Sequence, residues 1–154
     1  MHIRVRVGTQ FSAGRTGGNG TYLGYQAGYT TTASGFVAVG YKAGVVYTSN
    51  ASEYYGSVFI GTVAASKVTT GYDNTAIGAF AIGQNSATNT GNNNTAVGAD
   101  ALHVSTAGSN TAVGAFSLAS NTTASYNTAV GYQSLYSNTT ASSAVAVGYQ
   151  AGYN

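Results

Sequence analysis

The side chains able to do chemistry are few. Glu53, Asp73 and Asp100 are the only acids, and His2 and His103 the only histidines. General acid/base work needs two such groups to converge. Asp100 and His103 stand close enough in sequence to be neighbours on one turn of chain, which reads either as a solvated polar edge or as a metal or catalytic pair. Serine and threonine are abundant, but no base accompanies them to make a nucleophile. Gly17-Gly18-Asn19-Gly20 resembles only part of a phosphate-binding loop; without a following Lys-Ser/Thr it reads as a turn. The triplets beginning at Asn50, Asn93 and Asn121 match the glycosylation pattern, which carries little weight in a chain rich in Asn and Thr. The expectation is a protein that is not an enzyme and needs no cofactor or metal.

Composition narrows the class of scaffold that carries these residues. The chain has 154 residues, is 44% hydrophobic and only 5% charged, and contains no proline and no cysteine. Gly, Ala, Ser, Thr and Asn leave it short of the large side chains of a globular core, and it lacks the high charge that keeps disordered segments solvated. Regular stacking is the remaining way to bury enough surface. A net charge of +2 is too small to suggest a nucleic-acid surface, and no apolar run approaches the ~20 residues of a membrane span. Without cysteine there is no disulfide scaffold, and the redox compartment stays open.

The stacking unit is visible as a pentad ending at Gly24, Gly40, Gly61, Gly78, Gly98, Gly114, Gly131 and Gly148, with intervals of 16, 21, 17, 20, 16, 17 and 17 residues. Positions are counted below from this glycine. At −1 stands Leu23, Val39, Ile60, Ile77, Val97, Val113, Val130 or Val147, and at −2 Ala in six of eight copies, with Tyr22 and Phe59 the departures. At +3 every copy has Ala or Ser. Units this short exclude helix hairpins, and their glycines and β-branched residues oppose helix. The pattern predicts an all-β parallel β-roll, a β-solenoid of about eight coils of 16–17 residues, forming one repeat domain over residues 20–154. At about 4.8 Å per coil the rod would be ~38 Å long. Residues 1–19 form a separate segment, a capping or attachment piece or an edge strand blunted by charge, in which His2 to Val7 alternates charge with aliphatic.

Within a coil the pentad is expected to form one strand, with Thr75 and Ile77 facing one way and Asn74 and Ala76 the other. A second strand is expected from about +3, carrying Ile82, Leu102, Leu118 or Leu135 at +4 inward. If the −1 aliphatics fill the interior, the −2 alanines point outward, where only another backbone would welcome so small and apolar a rank. Ala76, Ala96, Ala112 and Ala129 are therefore the expected interface between associating subunits.

The units Asn127 to Leu135 and Val145 to Gly152 resemble the head repeats of trimeric autotransporter adhesins of the YadA type, and similar repeats occur in phage tail-fibre and adhesin-like proteins. The resemblance covers about Gly20 to the C-terminus and implies a left-handed parallel β-roll, three chains about a threefold axis, and surface attachment. It departs from the bacterial pattern in its longer units and in the absence of a secretion signal and anchor barrel. With the Met1 start, this favours a phage virion-surface or tail-fibre segment that mediates host attachment, over a bacterial adhesin head at the cell surface. A monomeric solenoid that binds ice or carbohydrate ranks third, since Thr75, Thr95, Thr111 and Thr128 make one file where a flat binding face needs two. The implied partners are further copies of itself, a glycan or protein receptor, and adjacent virion proteins.

Two features single out a receptor surface. Tyr25, Tyr41, Tyr132 and Tyr149 recur at +1 and would stack as aromatic ladders near the ends of the roll, suited to sugars or a protein partner, or else packed between subunits. The two long intervals place extra residues at Val45 to Tyr55 and Gln84 to Asn93. The first carries Tyr47, Glu53, Tyr54 and Tyr55, the expected receptor contacts unless the insertion merely covers apolar surface.

Overall fold

The computed structural model describes residues 20–48, 56–83 and 89–154. Each pentad makes a strand of three residues: β1 (Thr21–Leu23), β2 (Val37–Val39), β3 (Val58–Ile60), β4 (Thr75–Ile77), β5 (Thr95–Val97), β6 (Thr111–Val113), β7 (Thr128–Val130) and β8 (Val145–Val147). All are parallel, each pairs with its sequence neighbours, and the order is β1 to β8 without a crossover. The register is in step throughout, so Ala76 lies beside Ala96 and Ile77 beside Val97. The result is an all-β solenoid of about seven turns, the windings that join eight strands, with no helix among the described residues.

The expected second strand is absent among the described residues. The chain after each glycine runs through turns in which +2 and +4 both take left-handed backbone, as at Asp100 (φ 56°) and Leu102 (φ 52°). A third left-handed residue stands at −5, at Asp73, Asn93, Ser109, Tyr126 and Ser143. Most of these are not glycine, although a Cβ disfavours this region. The repeated ladder supplies the compensation: Leu102 N–H donates to the Ser117 carbonyl at 3.0 Å and Leu118 N–H to that of Ser134 at 3.0 Å. The left-handed bend still turns the +4 side chain inward, as expected for Ile82, Leu102, Leu118 and Leu135, all buried.

That inward Leu settles which strand face is interior, and it reverses the expectation. Ala38, Phe59, Ala76, Ala96, Ala112 and Ala129 have no exposed surface, whereas the −1 aliphatics face out, Leu23, Ile60 and Ile77 being 36–38% exposed. Room is the cause. With Leu or Ile entering at +4 and Ala or Ser at +3, only a methyl fits at −2; a Cβ added at Gly152 would lie 3.5 Å from that of Ala146 and 2.8 Å from Leu135 Cδ2. Near the N-terminal coils the exchange runs the other way. Phe59 occupies −2, and the neighbouring +4 position is Gly44, where an added Cβ would meet the Phe59 ring at 2.7 Å.

The fourth inward position, −4, is asparagine in four coils. Asn74, Asn94, Asn110 and Asn127 are buried and stacked. Asn110 N–H donates to Asn94 Oδ1 at 3.0 Å, Asn127 N–H to Asn110 Oδ1 at 3.0 Å, and Ala144 N–H to Asn127 Oδ1 at 2.8 Å. The amide groups also donate to backbone, Asn94 Nδ2 to Ala107 O at 2.9 Å and Asn110 Nδ2 to Ala124 O at 2.9 Å. These bonds satisfy backbone groups that the short strands leave over, a requirement for burial.

Candidate functional site

The outer strand face is the most regular surface of the described chain. Because side chains alternate, −3 and −1 share this face. Thr75, Thr95, Thr111 and Thr128 make one file, continued by Val37, Val58 and Val145, and a second, parallel file runs from Leu23 through Val39, Ile60, Ile77, Val97, Val113 and Val130 to Val147. In-register pairing keeps the two files continuous over all eight strands. A row of branched aliphatics in water is the kind of contiguous apolar surface that marks an interaction site.

The alanine rank cannot serve that purpose. Ala76, Ala96, Ala112 and Ala129 have no accessible surface within one chain, so none is left to bury against another. The expected interface is corrected on this point: the outward rank lies one residue further along, at Ile77, Val97, Val113 and Val130.

The tyrosine ladders form as expected. Tyr25 stacks on Tyr41 with centroids 5.5 Å apart, and Tyr132 on Tyr149 at 5.6 Å, all four exposed. A further pair at +5, Tyr136 on Tyr153 at 5.2 Å, escaped the sequence reading, which followed only the +1 rank. Lys42 adds a cation 5.2 Å from the Tyr41 ring centroid.

Tyr47 is not a receptor contact. It is fully buried, edge-on to Phe36 at 4.8 Å and to Phe59 at 5.3 Å, with its hydroxyl sharing a hydrogen bond with Ser57 Oγ at 3.3 Å. A coil that has Gly at +4 leaves space that this ring fills. Glu53, Tyr54 and Tyr55 lie outside the described residues.

Asp100 and His103 do meet. Asp100 Oδ1 lies 2.8 Å from His103 Nδ1, and both side chains stay part-exposed, at 24% and 32%. No hydrogen bond joins the two side chains despite the short distance. Among the described residues no three metal-ligating side chains converge, and no helix is long and apolar enough to cross a membrane. Comparison with protein-family models, with curated proteins and with solved structures found no match.

Proposed function

We propose that the chain is a structural and adhesive fibre segment of a phage virion, built as a homotrimer in which the outer strand faces pack together. The observation that carries this reading is the unbroken aliphatic file from Leu23 to Val147 on an in-register parallel sheet, a surface that a lone rod would leave partly in water. The resemblance of the repeats to adhesin heads and tail fibres supports the attachment role, and the exposed tyrosine pairs supply amphipathic rings for a receptor. Sedimentation of the full chain tests the assembly. A trimer is expected, and Val97→Lys with Val113→Lys should give a folded monomer, because burying two unpaired ammonium groups costs more than the contacts return. A parent protein that is itself a folded monomer defeats the proposal.

That monomer would favour a second reading, a solenoid that binds an ordered lattice such as ice through the paired threonine and aliphatic files. The structure supplies the second parallel file that this reading requires. Ice-growth inhibition by the monomer separates the two.

A further inference from the structure

The +5 rank runs His103, Ala119, Tyr136, Tyr153 over the last four coils. The last two stack as adjacent rungs, 5.2 Å between centroids. Ala119 is a rung without a ring, between two that have one. A cavity of about 370 Å³ opens there, lined by Asp100, His103, Val104, Phe116, Ser120 and Tyr136 around Ala119. His103 and Tyr136 stand two coils apart, roughly 9.6 Å at the usual strand spacing, which leaves room for one six-membered ring between them.

We propose that this slot binds a single pyranose unit of a neutral glycan, seated as the missing rung. Its walls have the amphipathic character of such a ring. Tyr136, Phe116, Val104 and Ala119 offer apolar surface to the C–H face, while the Asp100 carboxylate, Ser120 and the Tyr136 hydroxyl are acceptors and donors for ring hydroxyls. His103 Nδ1 is closed off against Asp100, and its part-exposed ring forms one wall of the slot. A nucleotide fits poorly, since the charge at the slot is a carboxylate and neither described lysine, Lys42 or Lys67, lines it. Tyr153 already covers the far face of Tyr136, fixing that ring and lowering the cost of ordering it on binding.

The inference deepens the adhesive reading and rests on it only for the source of the glycan. It is tested by amide chemical-shift titration of the full chain with methyl glycosides of glucose, galactose, mannose and N-acetylglucosamine. Shifts are expected for amides of Asp100 to Val104 and Phe116 to Ser120 with at least one glycoside. Ala119→Tyr, which supplies the absent ring and completes the stack, should weaken that glycoside about tenfold or more while leaving the rest of the spectrum in place, and Tyr136→Ala should do the same. The slot is overturned if none of the glycosides shifts these amides, if Ala119→Tyr binds as well as the parent, or if adenosine shifts them and the sugars do not. Host attachment that survives a null titration removes the slot and leaves the adhesive reading standing.

Discussion

Asn74 Oδ1 accepts the backbone N–H of Asn94, its counterpart one coil on, at 2.9 Å, and both residues are buried. Asn94 repeats the act toward Asn110 and also donates its amide to Ala107 O. Replacing Asn94 with Ala therefore leaves an N–H and a carbonyl in the wall without partners. Each such loss costs about 1–3 kcal/mol, so Asn94→Ala should destabilise by at least ~2 kcal/mol in urea unfolding. Thr95→Ala, on the outer face, should fall within about 0.5 kcal/mol of the parent. Equal effects would show that the ladder carries no weight.

Adjacent residues on one strand should respond oppositely to charge. Ala96→Glu places a carboxylate in the closed interior at a cost of several kcal/mol, enough to unfold the coils around it. Val97→Glu faces outward and should leave the β-rich circular dichroism spectrum of a single chain unchanged. A folded Ala96→Glu alongside an unfolded Val97→Glu would mean that the faces had been assigned backwards.

The pentad glycine tolerates no side chain. At Gly98 (φ 139°) an added Cβ would lie 2.6 Å from the Gly114 carbonyl, and the same collision recurs at each coil from Gly24 to Gly131. Gly98→Ala should cost about 4 kcal/mol or more, combining that clash with backbone strain. Gly35 (φ 73°) has open space around it, so Gly35→Ala should cost only the strain, about 1 kcal/mol. Thermal unfolding of the two variants side by side measures the difference.

Tyr47→Ala should lose about 3–5 kcal/mol, since it empties the space between Phe36 and Phe59. Tyr47→Phe keeps the ring and gives up only the contact with Ser57, for about 1 kcal/mol. If Tyr47→Ala unfolds like the parent in denaturant yet abolishes attachment, the residue belongs to a receptor site after all.

The repeat, its parallel stacking and the inward +4 residue were legible from spacing alone, because a rank such as Ile82, Leu102, Leu118 and Leu135 has one physical use. The inward face of the strand was not. Alternation separates Ala96 from Val97 but does not say which is inside, and hydrophobicity gives the wrong sign when the interior is too narrow for valine. The answer depended on Leu102 and its left-handed backbone, which sequence signals only when the residue is glycine. Tyr47 misled for a related reason: its partner Phe59 lies on the next coil, and Phe36 stands at the other end of its own. The slot at Ala119 was hidden because it exists only once three coils are aligned at +5.

The nested asparagines and glycines make every coil both a template for the next and a copy of the last. Removing Ala99 to Gly114 would join Gly98 to Ala115 and bring Asn94 beside Asn127, each meeting the partner it already recognises. Duplication of a unit would close just as cleanly. Slippage of the repeats in the gene therefore acts as a ruler, lengthening or shortening the reach of the rod in steps of about 4.8 Å without redesign of any joint.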